Sequence, residues 1–177
     1  MARQSNITGK EVSFGEDEVI VSKTNLKGHI VYCNDVFLRV SGFTENEVVG
    51  QPHNLIRHPE MPRVVFKLLW DTIQSGQEIF AYVNNRAKNG DNYWVLAHVT
   101  PSRNSAGQVV GYHSNRRVPD RSILTRKIIP LYEVLLQEER KHSNGKVGLT
   151  AAYDMLVAHL EGVGMEYDEF IATLQAA

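Results

Sequence analysis

Asn85-Arg86-Ala87-Lys88-Asn89-Gly90-Asp91-Asn92-Tyr93-Trp94-Val95 contains the strongest turn signal of the chain, Asn89-Gly90. Both residue types tolerate the positive φ that a tight reversal needs. The flanks, Glu78 to Lys88 and Asp91 to Pro101, are rich in β-branched and aromatic residues, so the stretch predicts a long antiparallel hairpin. Side chains alternate along a strand. Ile79, Ala81, Val83 and Asn85 therefore share one face, and Phe80, Tyr82 and Asn84 the other. In the return strand Tyr93, Val95, Ala97 and Val99 oppose Trp94, Leu96 and His98. Both faces are largely apolar, so neither is left to solvent. One face packs on helices and any ligand; the other meets the tail of the chain or a second subunit.

Working outward, Gln108 to Arg117 reads as a third strand of this block. Upstream, Val19 to Val21 and His29 to Cys33 flank a turn at Thr24-Asn25-Leu26-Lys27-Gly28. Asp35 to Val40 and Thr44 to Glu47 are short helical pieces, the second with capping-box spacing. Met61 to Ile73 is the best helix, opened by Pro62 and apolar at Val65, Leu68, Leu69 and Ile73. After Pro119-Asp120 the pattern turns helical. Arg121 to Arg140 has Pro130 inside it, which predicts a kink or restart. Lys141 to Gly145 reads as a linker. Leu149, Tyr153, Leu156, Leu160 and Val163 then step as a seam, and Tyr167 to Leu174 ends the chain helically. The organisation expected is a flexible leader at 1–17, a domain at 18–118 and a helical extension at 119–177.

The 177 residues are 42% hydrophobic, enough for a core, and carry a net charge of -1. That charge argues against a nucleic-acid-wrapping surface or a polybasic membrane anchor. No apolar stretch approaches the roughly 20 residues of a spanning helix. One cysteine, Cys33, gives neither an internal disulfide nor a Cys-rich zinc site. A cytoplasmic location follows as the expectation. No nucleophile elbow, zinc-hydrolase or phosphate-loop motif is present, so an enzyme is not expected.

Several runs together resemble one family. They are Asn34-Asp35, Ser41-Gly42-Phe43-Thr44, Gly50-Gln51-Pro52-His53-Asn54-Leu55-Ile56-Arg57-His58-Pro59-Glu60-Met61-Pro62, the hairpin stretch quoted above, Gly111-Tyr112-His113-Ser114 and Pro130-Leu131-Tyr132. Over about residues 18–135 the chain resembles the PAS domain of bacterial aerotaxis receptors. The resemblance implies an α+β PAS fold: a five-stranded antiparallel sheet with short helices on one face, here followed by helices. It also implies FAD held non-covalently, its redox state relayed to a chemotaxis module. With no spanning segment, a separate chemoreceptor-type transducer is the expected partner, and a homodimer through the sheet face or tail helices is expected.

The cofactor positions implied by the resemblance are Asn34, Arg57, His58, Glu60, Asn85, Tyr93 and Ser114. Chemistry supports two of them directly. Asn85 is a polar side chain on an otherwise apolar face, as a ring slot with a few placed polar groups requires. Arg57 offers a planar fork of donors suited to pyrophosphate oxygens. The alternatives are a helix-end ion cluster of Arg57, His58 and Glu60, a heme ligated through His53 or His58, and a ligand-free docking adaptor. Trp70 is expected in the core and Trp94 at an interface, with His98 and His113 on the outer face. Cys33 lies on a strand and the Asn-Cys-Arg-Phe-Leu-Gln run of photoactive flavin domains is absent, so cysteinyl photochemistry is not expected.

Overall fold

The computed structural model describes residues 7–176. Five strands form one antiparallel sheet in the order β2-β1-β5-β4-β3. They are β1 (Ile20–Asn25), β2 (Ile30–Cys33), β3 (Ile79–Arg86), β4 (Asn92–Arg103) and β5 (Val109–Arg117). Strands β2 and β3 lie at opposite edges, so the chain between them must cross a face of the sheet. It does so through α1 (Asp35–Ser41), α2 (Glu45–Val48), a 3-10 turn at His53–Ile56 and α3 (Arg63–Gln74). The α+β architecture expected from the sequence is the one found.

Local chemistry sets the boundaries. The Asn34 carboxamide oxygen accepts from the Phe37 N–H at 3.0 Å and starts α1. Gly42, at φ 71°, ends it in the left-handed conformation that glycine adopts without penalty. The Thr44 N–H donates to the Glu47 carboxylate at 3.0 Å, completing the expected capping box. The hairpin turn differs from a two-residue Asn-Gly reversal. Arg86 pairs with Asn92, and the Ala87 N–H donates to Asp91 O at 2.8 Å. That pairing leaves Lys88-Asn89-Gly90 as the loop, with Gly90 at φ 97°, the geometry of a type I turn closed by a glycine bulge.

The outer face is covered by the tail. After α4 (Arg121–Ile123) the helix widens into a π turn at Leu124–Ile128 and continues as α5 (Ile129–Arg140), with Pro130 at its start. The α-helix thus restarts beside Pro130, one of the two outcomes expected, since proline cannot donate to the preceding turn. Tyr132 approaches Trp94, ring centroids 6.2 Å apart, and its hydroxyl donates to Tyr82 O at 2.8 Å. Edge strand β3 is thus protected: Tyr82 O is capped, the Asn84 N–H meets Met61 Sδ at 3.2 Å, and Asn85 bridges Arg57. Tyr132→Phe is expected to lower stability by about 1 kcal/mol, one buried hydrogen bond, in urea denaturation.

Helix α6 (Gly145–Val163) starts at Asn144 and ends at Gly164, and α7 (Tyr167–Ala176) follows. The fully buried residues of α6 are Gly148, Ala152, Leu156 and Leu160; of the expected seam, Leu156 and Leu160 are buried, Leu149 and Tyr153 pack against the core, and Val163 is 45% exposed. The small residues let α6 approach α5 closely, which the spacing of larger residues did not reveal. Residues 8–12, inside the stretch read as a leader, lie along the hairpin loop. Val12 N–H donates to Asn92 O at 2.7 Å, Asn92 N–H to Lys10 O at 2.9 Å, and Arg121 pairs with Glu11 at 2.7 Å. Among the described residues no helix is long and apolar enough to cross a membrane.

Candidate functional site

The inner sheet face and α3 enclose a cavity of about 400 Å³, within the usual range for small-molecule sites. Strand parity brings Val83 and Asn85 of β3, Ala97 and Val99 of β4, and Ser114 and Arg116 of β5 onto its floor. Phe66, Leu69, Trp70 and Ile73 recur at helical spacing and form the α3 wall. Lys27, Arg57, Arg63 and Lys67 line the same cavity, whereas no Asp or Glu does. The pocket is therefore apolar in the middle and positive at its rim.

Of the seven positions expected to hold a cofactor, Arg57, Asn85 and Ser114 line the cavity. Asn85 is 3% exposed and its amide nitrogen has no partner among the described residues. A buried donor without an acceptor costs about 1–3 kcal/mol. The Arg57 guanidinium lies over the Phe66 ring at 4.3 Å and reaches Met61 O at 3.4 Å. Burial lowers its pKa, while the nearby Glu139 carboxylate opposes that shift.

The other four do not line it. Asn34 is spent on the backbone: it caps α1, accepts from the Val21 N–H at 3.0 Å and donates to Val19 O at 2.8 Å. His58 is buried and turned into the fold, where Nδ1 accepts from the Glu60 N–H at 3.3 Å; burial lowers its pKa. The Glu60 side chain is 65% exposed, 4.0 Å from His58. Tyr93 is fully buried opposite Asn85, with its hydroxyl unpartnered and its pKa raised by burial. Of the two imidazoles offered for the heme alternative, His53 lines the cavity and His58 does not.

Three groups were not singled out from sequence as one site. Ser22 Oγ lies 3.1 Å from His53 Nε2, and Arg116 Nη2 contacts both Ser22 Oγ and, at 2.7 Å, His53 Nε2. Strand alternation puts Arg116 on the same face as Ser114, two residues earlier, a signal that could have found it. Trp70 packs against the core, as expected, and also walls the cavity, edge-on to Tyr112 at 5.6 Å. His98 stacks on Phe80 on the outer face, and His113 pairs with Asn115, as expected of outer-face residues.

Comparison with known proteins bears on this geometry. Residues 30–116 match the PAS fold family. Over 136 residues the chain is 39% identical to the aerotaxis receptor of Escherichia coli (strain K12), covering 76% of this chain and 26% of the receptor. The chain carries a PAS domain of the aerotaxis-receptor type. This PAS domain is also 27% identical to the nitrogen fixation regulatory protein of Klebsiella pneumoniae over 99 residues, 56% of this chain and 20% of that protein. The chain thus spans about a quarter of the receptor and a fifth of the regulator. Among solved structures, a light-oxygen-voltage domain studied with a flavin analogue superposes with a TM-score of 0.56 at 19% identity, covering 63% of this chain and 84% of that one. The light state of the Aureochrome1 LOV photoreceptor gives 0.53 at 24%, covering 70% and 91%. These likenesses are of fold.

Proposed function

We propose that this PAS protein is a cytoplasmic redox sensor that holds FAD in the cavity beneath α3 and passes its state to a chemotaxis transducer. The observation that carries the reading is the unpartnered Asn85 amide on the floor of an apolar slot whose rim is cationic. An isoalloxazine ring has an edge of carbonyl and imide groups that a carboxamide and a hydroxyl match, and Asn85 and Ser114 supply both. Arg57, with Lys27, Arg63 and Lys67, supplies the charge for a pyrophosphate. Bound flavin would contribute reversible electron uptake. The residues of the chain orient it, exclude water and sense the change in hydrogen bonding.

The path to an output runs through α3. That helix walls the cavity, and its first turn is tied to the tail: the Val64 N–H donates to the buried Glu139 carboxylate at 2.8 Å, and Arg63 to Gly145 O at 2.9 Å. A helix N-terminus favours such a carboxylate. A shift of α3 therefore moves α5 and α6. In this proposal residues 18–118 sense and 119–177 report. A homodimer forms through the tail surface bearing Val134 and Val147, each 49% exposed; light scattering tests that arm.

The test of the main reading is the visible spectrum of the purified or FAD-reconstituted protein, with the released cofactor identified by chromatography. Absence of a flavin spectrum after reconstitution would refute it. Arg57→Ala is expected to weaken FAD about tenfold, the scale of one charge-assisted hydrogen bond, while riboflavin, which lacks phosphate, binds both forms alike. Equal FAD affinity in both would remove Arg57 from the site.

A further inference from the structure

Arg116 is 2% exposed and projects from β5 into the cavity. Among the described residues no carboxylate lies within salt-bridge reach of it. Its neighbours are neutral: Ser22 Oγ, His53 Nε2, and the face of Phe37 at 5.6 Å. Arginine only donates, so His53 Nε2 must be the acceptor, which puts the imidazole proton on Nδ1. Burial beside the guanidinium holds the His53 pKa down at about 3, so the histidine stays neutral. Burial likewise lowers Arg116 to about 10, still charged at neutral pH.

A buried charge without a counter-ion is among the costliest groups a fold can keep. Arg116 Nη1 has no partner at all among the described residues. The Nε2 lone pair of His53, once engaged by Arg116, leaves the Ser22 hydroxyl proton free to point elsewhere. Both residues line the cavity, and neither Arg116 Nη1 nor the Ser22 hydroxyl proton then has a protein acceptor assigned among the described residues.

We propose that Arg116, Ser22 and His53 form an oxyanion-binding subsite in the buried part of the cavity, which takes a carboxylate or an ionised imide of the bound ligand. Arg116 supplies the charge and Ser22 a second donor. His53 is a positioning residue that holds the guanidinium in place. The imide arm rests on the flavin reading, and the carboxylate arm does not.

The test uses the full chain with any cofactor removed and sodium acetate as probe, read by the NMR shifts of the His53 ring. Wild type is expected to saturate with acetate, and Arg116→Gln to bind about tenfold more weakly, the loss of one charge-assisted contact. Ser22→Ala, a smaller change that keeps the buried charge, is expected to weaken acetate in the same direction should Arg116→Gln fail to fold. Absent saturation in wild type, or equal affinity in a folded variant, overturns the proposal. A flavin-loaded arm separates the two readings. Arg116→Gln is expected to raise the pH at which the bound imide ionises, and an unchanged value overturns the subsite while flavin binding stands. Failure to load flavin at all overturns the FAD reading and leaves the acetate result to decide this one.

Discussion

Gly111→Ala is expected to cost about 3 kcal/mol, at the upper end of overpacking effects, and to loosen the cavity wall. Gly111 sits in β5, which lies between β1 and β4 in the sheet and faces Asn25 on one side and Ser102 on the other. A Cβ there would lie 2.2 Å from the Thr24 carbonyl oxygen. The obstacle is backbone, so no side-chain rotation relieves it. Separating the strands would stretch the β1–β5 ladder, whose pairs run from Ile20↔Arg116 to Asn25↔Gly111. The next residue, Tyr112, meets Trp70 of α3, so the damage reaches the site. Urea denaturation measures the cost, and near-ultraviolet circular dichroism of Trp70 and Tyr112 reads the cavity. A change within about 0.5 kcal/mol, the size of an ordinary surface substitution, would show that β1 and β5 tolerate a wider spacing than the structure gives them.

Much of this arrangement is legible in the residues. Strand parity placed Asn85 on the ligand face because a period of two leaves no freedom once one residue of a strand is assigned; Ser114 came from the resemblance alone. Capping-box spacing placed Thr44 because a helix start leaves donors that only certain side chains satisfy; the same chemistry claims Asn34, which the resemblance had given to the cofactor. Legibility ended where distant segments meet. His58 and Arg57 are neighbours in the same run, yet one turns into the fold and the other toward the cavity, a choice made by packing against Phe66 and Met61. In the sequence Arg116 is one residue of the strand Gln108 to Arg117. Its partners, Ser22 and His53, lie 94 and 63 residues away, and no local pattern encodes that meeting. On α6 the periodicity finds Leu156 and Leu160 but not Gly148 and Ala152, which bury by being small, a property hydrophobic periodicity does not score.

The small stripe makes a sign-dependent prediction. Glycine in a helix interior costs about 1 kcal/mol relative to alanine, so Gly→Ala ordinarily stabilises. At Gly162 of α6 an added Cβ meets nothing within 4 Å, and Gly162→Ala is expected to raise stability by about 0.5–1 kcal/mol. At Gly148 the Cβ would lie 2.4 Å from the Glu139 carbonyl oxygen and 3.3 Å from its Cα. The backbone of α5 cannot yield without displacing Glu139, whose carboxylate caps the Val64 N–H. Gly148→Ala is therefore expected to destabilise by about 2 kcal/mol, overpacking outweighing the gain in helix propensity. It should also free the first turn of α3 from the tail. Hydrogen exchange at Val64 reads that release separately from global stability: faster exchange in Gly148→Ala, with Gly162→Ala unchanged or slower. If both substitutions stabilise alike, α5 and α6 do not make the close approach described, and the proposed route from the cavity through α3 to the tail loses its connection.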